Sequence, residues 1–248
     1  MIYVCIPSHN QGATLGLLLW KARQVFQAFP REYQFLVVDD ASTDGTREVL
    51  DLYQRALPVT VLRPAAREGY AASLERALRE SVRRTDRPRR DCAITLPPDF
   101  GVSPEALPDL VRRLESGADL VVGELHDRAG PWTIRLVRRG APWFLKPGLS
   151  VPGVRDLFSG CYGIRLVTLK RCFRDGQALL ETEGWCANAE LVARAAVHAR
   201  QIATVPLVPG RTPAPAGHPR PVELMLAMLR AGRRLRIPAP SVPVERTA

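Results

Sequence analysis

Short apolar runs alternate with amphipathic stretches along most of this chain. Ile2–Ile6 is apolar throughout, and Leu15, Leu18, Leu19, Ala22, Val25 and Phe26 then recur at helical spacing. Phe35–Val38 predicts a second strand, Thr46–Ala56 a helix, Val59–Leu62 a third strand and Tyr70–Arg84 another helix. A polar stretch, Thr85–Asp91, leads into strand Cys92–Leu96, helix Pro104–Glu115 and strand Leu120–Gly123. Strands alternating with helices of this length predict an α/β fold with a doubly wound, mostly parallel sheet and right-handed crossovers. From Glu124 to Val154 the periodicity dissolves into Gly, Pro, Trp and Arg, the mark of a long functional loop. Order returns with a strand at Ser159–Arg165, a helix near Ala187–Ala199 and a strand at Ile202–Leu207. Pro221–Arg234 predicts one more helix, and Ile237–Ala248 reads as loose and Pro-rich.

Composition narrows this picture. A chain of 248 residues can bury one sizeable core. No apolar run approaches the roughly 18–20 residues of a membrane span. The first strand starts directly after Met1, which leaves no room for a signal peptide. Cys5, Cys92, Cys161, Cys172 and Cys186 are odd in number and lack CxxC spacing, which suits reduced thiols and a cytoplasmic location. The net charge is +10, carried almost wholly by arginine, since Lys21, Lys146 and Lys170 are the only lysines. Arginine favours bidentate phosphate contact, as with nucleotides or lipid headgroups; a GC-rich genome would give the same composition. The arginines are not interleaved with aromatics, so a nucleic-acid partner is not expected.

The most informative chemistry lies in Phe35-Leu36-Val37-Val38-Asp39-Asp40-Ala41-Ser42-Thr43-Asp44-Gly45-Thr46. A buried strand here delivers two carboxylates to the carboxyl edge of a sheet, where α/β proteins place their ligands. Thr43 or Asp44 is a cap candidate for the helix that follows, and Asp44-Gly45 supplies turn residues. Two adjacent buried carboxylates are costly unless they meet hydroxyls, amide or imide donors, or a cation. A sugar-nucleotide offers the first two.

Five stretches, in order, resemble the inverting glycosyltransferases of family 2, which have the GT-A fold. They are Ile6-Pro7-Ser8-His9-Asn10-Gln11, the Asp39–Thr46 acid turn, Arg67-Glu68-Gly69-Tyr70-Ala71-Ala72-Ser73-Leu74, Ala118-Asp119-Leu120-Val121-Val122-Gly123, and Val154-Arg155-Asp156-Leu157-Phe158-Ser159-Gly160-Cys161-Tyr162. The last is similar to the polyprenyl-phosphate (dolichyl-phosphate) mannosyltransferase branch. The resemblance covers about Ile2 to Pro209 and implies a single GT-A domain over 1–210. That fold is α/β, doubly wound and mostly parallel, with a small antiparallel part. The acceptor-side loop would fall at about 124–155, and 211–248 would be a Pro/Arg-rich tail with one helix.

The same resemblance implies a nucleotide-diphosphate sugar, GDP- or UDP-linked, bound near Pro7, His9, Asn10, Asp39, Asp40, Arg67, Gly69 and Pro98. Asp156, Ser159, Gly160 and Trp185 would lie on the acceptor side, facing a hydroxyl or a polyprenyl phosphate. The family's Asp-x-Asp motif holds Mg²⁺ or Mn²⁺ against the diphosphate. Here that place reads Leu96-Pro97-Pro98-Asp99-Phe100, so Asp99 keeps the second acid and Pro97 replaces the first. Where members with hydroxyl acceptors carry a basic Asp, this chain has Asn188; Glu183 and Glu190 are the fallback acids. Arg211 or Arg165 would neutralise the leaving diphosphate. Catalytic candidates are therefore Asp99, Glu190 and Arg211. An anionic acceptor needs no base.

The tail helix, with Val222, Leu226 and Leu229 on one side and Arg230, Arg233, Arg234 and Arg236 near its end, fits either an anionic membrane surface or docking on the domain. Trp132, Trp143 and Phe144 in the long loop fit a lipid or planar acceptor, or simple packing. Two further readings stay open: a degenerate transferase that binds nucleotide or a protein partner without turnover, favoured by Pro97 and Asn188, and nucleotidyl transfer. The latter expects a Gly-rich N-terminal loop with Arg and Lys, which Ile6–Gly12 lacks.

Overall fold

A computed structural model describes residues 1–125, 136, 140–141, 143–145, 148–149, 151–173, 177–210 and 221–246. The strands are β1 (Ile2–Ser8), β2 (Tyr33–Asp39), β3 (Val59–Leu62), β4 (Cys92–Thr95), β5 (Leu120–Leu125), β6 (Tyr162–Arg165), β7 (Ile202–Leu207) and β8 (Val244–Arg246). They form one sheet in the order β3-β2-β1-β4-β6-β5-β7-β8. β1 pairs in parallel with β2 and β4, β2 with β3, β5 with β7, and β7 with β8. Only β6 runs against its neighbours β4 and β5. This is the doubly wound, mostly parallel sheet that the alternation predicts, with the small antiparallel part that the resemblance implies.

The helices follow from apolar stripes on each side. In α1 (Gly12–Ala28), Leu15, Leu18, Leu19, Ala22 and Phe26 are buried, and Phe29 and Pro30 end the helix. With α2 (Thr46–Ala56) and α4 (Leu107–Glu115), it covers one face of the sheet. The other face is covered by α3 (Tyr70–Arg84), α5 (Leu166–Cys172), α6 (Trp185–His198) and α7 (Pro221–Arg234). β1 is buried along its whole length and β2 from Phe35 onward, as central parallel strands must be when helices cover both faces.

Four elements depart from the sequence-based expectations. Pro104–Ala106 is a 3₁₀ turn before α4, capped by Ser103, because Pro108 has no amide hydrogen to bond back to the Pro104 carbonyl and continue an α-helix. The strand expected from Ser159 begins only at Tyr162, since Gly160 turns left-handed. α5 was not expected, its seven residues being too few to show a period. The segment read as loose after Ile237 contains β8, which adds to the sheet through Ile202↔Val244 pairing.

Candidate functional site

The carboxyl ends of β1, β2 and β4 lie side by side, because β1 is flanked by the other two. Each of these strands leads into a loop that holds a non-glycine residue at positive φ: Asn10 (53°), Ala41 (51°) and Phe100 (60°). Such residues cost of order 1–3 kcal/mol each and gather where a surrounding network over-determines them. The network here is explicit. Asn10 takes the Thr43 amide on its Oδ1 at 2.8 Å, while its own amide donates to Ser42 Oγ at 3.0 Å. The Gln11 amide donates to Thr46 Oγ1 at 2.9 Å, and the Gly12 amide to Asp44 Oδ2 at 3.0 Å. Asp44 also accepts the Thr46 amide at 3.0 Å, which fulfils the turn role expected of it. Burial raises its carboxyl, but the Thr46 hydroxyl and the Gly12 and Thr46 amides outweigh that and hold it below the usual carboxylate range.

Asp39 and Asp40 are both buried, yet their partners differ. Asp40 spends both oxygens on the entry to α3, accepting the Glu68 amide at 2.7 Å and the Gly69 amide at 2.9 Å. Gly69 sits at φ +97°, a conformation that favours glycine, and a Cβ there would stand 3.0 Å from Glu183 Oε1. Glu183 in turn accepts the Ala71 amide at 3.2 Å. Asp39 is less committed, with the Ser42 amide at 3.2 Å and the Arg63 guanidinium at 3.6 Å. Its register partner is Ser8, whose buried hydroxyl has no hydrogen-bond partner among the described residues. His9 donates from Nδ1 to the Asp40 carbonyl at 2.7 Å, which fixes its ring over the same edge. Pro7 is buried at the end of β1, and Arg67 is exposed just before Gly69.

The other side of the edge is assembled from distant segments. Asp99 Oδ1 accepts the Gly101 amide at 2.8 Å, and the Pro98 carbonyl accepts Thr14 Oγ1 at 2.9 Å. Gly160, at φ +70°, lies against Pro97: a Cβ on it would meet Pro97 Cγ at 3.1 Å and Asn188 Nδ2 at 3.6 Å. Its carbonyl accepts Thr95 Oγ1 at 2.8 Å. Tyr70 donates to Asn188 Oδ1 at 2.9 Å. Burial pushes the Tyr70 phenol up to about 12; the Asn188 bond opposes this and the Asp99 charge adds to it, so Tyr70 is a neutral donor at ordinary pH. Thus Pro97 and Asn188, both singled out from the sequence, meet around Gly160.

The remaining acceptor-side candidates hold the local backbone. Asp156 accepts the Phe158 amide at 2.9 Å and the Leu125 amide at 3.2 Å, tying the end of β5 to the turn before Ser159. Ser159 accepts the Cys161 amide at 3.3 Å, and Trp185 packs against Phe158 at 6.3 Å between ring centroids.

Other candidates stand elsewhere. Glu190 is fully buried in α6, where its oxygens accept the Glu181 and Thr182 amides, the Thr182 hydroxyl and the Arg194 guanidinium. It is neither a surface acid nor a group open to a proton from an acceptor. Arg165 pairs in register with Cys92, the first residue of β4, and so lies at the opposite edge of the sheet from Asp99. Its guanidinium is spent on the carbonyls of Arg89, Leu114 and Ala118, so it cannot neutralise a leaving group. Arg211 and Trp132 lie outside the described residues. Tyr70, Ser8 and Arg63 were not singled out from sequence. Their roles depend on partners that no local pattern shows.

A divalent cation suits this fold type, so the donor set matters. Asp99 is the one acid directly after β4, one of its oxygens is engaged by an amide, and Pro97 offers no ligand. Among the described residues no three His, Cys, Asp or Glu side chains are grouped to hold a metal ion. The protein atoms described do not by themselves make a metal site.

A parallel sheet with one reversed strand and acids at the ends of β2 and β4 defines a GT-A-type domain. The family described as Glycosyl transferase family 2 matches residues 3–167, and the chain belongs to that family. It is 25% identical over 172 residues to the dolichol-phosphate mannosyltransferase of Pyrococcus furiosus, covering 66% of this chain and 46% of that one. It is 26% identical over 211 residues to the polyprenol monophosphomannose synthase of Mycolicibacterium smegmatis, covering 82% of this chain and 75% of that protein. In fold it is similar to the glucosyl-3-phosphoglycerate synthase of Mycobacterium tuberculosis, solved with Mn²⁺, uridine diphosphate and phosphoglyceric acid. That match has a TM-score of 0.63 at 22% identity over 93% of this chain and 75% of the other. The chain thus spans about half the length of the Pyrococcus relative.

Proposed function

We propose that this chain transfers a sugar from a nucleotide-diphosphate donor, with inversion, to the phosphate of a polyprenyl phosphate. The observation that carries the donor half is Asp39. It is a buried carboxylate with lone pairs to spare, beside a buried Ser8 hydroxyl with no partner among the described residues. A carboxylate with lone pairs to spare at this edge suits a ribose hydroxyl or a base imide as its donor. Asp40 serves as the brace that shapes the Gly69 turn beneath the donor. Family membership and the names of the two mannosyltransferase relatives support the reading.

The acceptor half rests on Asn188. With its carbonyl taken by Tyr70, it turns an amide donor toward Gly160 and Pro97. A donor suits an acceptor that is already anionic, and a phosphate oxygen needs no base to attack the anomeric carbon. In that single displacement the new C–O bond forms as the bond to the diphosphate breaks, and the nucleoside diphosphate leaves. Asp99 would be the one acid of the β4 loop to meet a cation on that diphosphate, and by itself it does not make a site, so no step of the transfer is assigned to a metal. A second reading, a degenerate member that binds nucleotide without turnover, is favoured by Pro97.

Calorimetry of GDP- and UDP-sugars with and without Mn²⁺, followed by a transfer assay with polyprenyl phosphate, tests both readings. Nucleotide binding with transfer is expected, and Asp39→Asn should weaken binding at least about tenfold, or roughly 1.4 kcal/mol. Binding without transfer to any acceptor supports the second reading, and a folded protein that binds no nucleotide sinks both. Pro97→Asp should make nucleotide binding about tenfold tighter in Mn²⁺ than in its absence. No gain from the metal would mean that Pro97 is not what limits a cation at this edge.

A further inference from the structure

We propose that the outer face of α7, together with Trp143, docks on an anionic lipid bilayer. α7 carries two apolar stripes. Leu224, Met228, Ala231 and Leu235 are buried and hold the helix to the domain. On the opposite side, at spacings of four, three and four residues, run Val222, Leu226, Leu229 and Arg233; Val222 is 62% exposed and Leu226 42%. A surface helix needs one apolar stripe for docking, so a second facing water marks a partner.

Charge says which partner. Arg230, Arg233 and Arg236 are exposed at the C-terminal end of this stripe, where Arg234 lies 3.7 Å from Glu181. A helix with an exposed apolar stripe ending in arginines is suited to an interface of anionic headgroups and acyl chains. Trp143, 83% exposed, extends the same end. The carbonyls of its neighbours Phe144 and Leu145 close on Gly232, within 2.8 and 2.6 Å of where a Cβ would stand. Tryptophan is the side chain that favours the headgroup level of a bilayer.

α7 cannot span the membrane, since no described helix is long and apolar enough. A second copy of the chain is a poorer occupant. Three exposed apolar side chains fall well short of the roughly 1,200 Å² that a stable interface buries, and a net charge of +10 opposes self-association. The docked orientation also has a use. Arg234 lies beside Glu181, which opens the loop leading through Glu183 to Trp185 and Asn188. This would bring the acceptor side to the surface that carries a polyprenyl phosphate, an advantage that rests on the function proposed above.

Co-sedimentation of the full chain with vesicles tests the surface directly. Binding is expected to phosphatidylcholine vesicles containing phosphatidylglycerol, not to phosphatidylcholine alone, with release at high salt but not by millimolar inorganic phosphate. Arg230→Glu with Arg233→Glu should lower partitioning at least about tenfold, since each basic residue near an anionic surface is worth about fivefold. Val222→Ser with Leu226→Ser should lower it by a similar factor. Both variants should keep the parent's urea-unfolding midpoint, which shows that they fold. No vesicle binding, or binding indifferent to both pairs, overturns the proposal. So does a dimer in sedimentation equilibrium that Leu226→Ser dissolves. None of these outcomes depends on whether the protein transfers a sugar, which the calorimetry and assay above decide separately.

Discussion

The two sides of the sheet edge are built by different means. On the side proposed for the nucleoside, three loops are laced by bonds in which backbone amides meet Asn10, Asp39, Asp40, Asp44 and Thr46. On the side proposed for the acceptor, Asp156 and Ser159 also hold backbone amides, but at its centre Tyr70, Pro97, Gly160 and Asn188 meet from separate elements, joined by one phenol–amide bond and the close fit of a left-handed glycine. A side chain that serves two backbone amides, as Asp40 does, cannot change without disturbing its loop, so its chemistry is held in place by folding. Side chains that serve one another can change in concert.

The sharpest way to break this comparison is to exchange the two acids. Asp40→Asn keeps the size but turns an NH₂ group toward one of the two amides that need an acceptor. Leaving such groups unpaired should cost about 2–4 kcal/mol in urea unfolding. Asp39→Asn should cost less than about 1 kcal/mol, because its own partners are longer and fewer, while nucleotide affinity falls. Equal losses of stability would show that both acids are structural and would remove the division of labour between them.

Gly160→Ala probes the other side. Its φ of +70° already disfavours a Cβ, and that Cβ would press on Pro97 Cγ at 3.1 Å. The conformational cost of about 1–2 kcal/mol and the contact together predict a loss near 2 kcal/mol. Pro97→Ala in the same chain should return part of it, as neighbours in contact couple in a double-mutant cycle. Strict additivity would mean that Pro97 and Gly160 do not constrain each other.

The same contrast governs what could be read from sequence. The acid turn was legible because its strand, turn and helix start are contiguous, and Thr46–Ala56, Val59–Leu62 and Tyr70–Arg84 end where their periodicity ends. β8 was not, because three residues after a Pro-rich stretch become a strand only when the edge of β7 is beside them. The partnership of Tyr70 with Asn188 spans 118 residues and leaves no local trace. Likewise the full burial of Glu190 depends on the loop it braces, not on its place in α6.

Tyr70→Phe is the mildest perturbation of the acceptor side, and it reads out in two ways. Removing the hydroxyl leaves the Asn188 carbonyl without its donor, at a cost of about 1 kcal/mol near neutral pH. The pH dependence identifies the group. Its folded pKa of about 12 lies above the ordinary 10.0, so the folded state keeps a proton that the unfolded chain gives up. The stability tied to that proton is fully present below pH 10 and is lost as pH rises toward 12, with a slope of up to about 1.4 kcal/mol per pH unit. Burial also raises the phenols of Tyr3, Tyr33 and Tyr162, so the parent protein should weaken in alkali through several groups. The Tyr70→Phe curve should be flatter than the parent's by the share of one phenol, which makes the destabilisation at pH 8 shrink by pH 11. A difference that stays constant with pH would mean that the Tyr70 hydroxyl is not enclosed against Asn188 and Asp99. The acceptor side would then be more open to water than the nucleoside side.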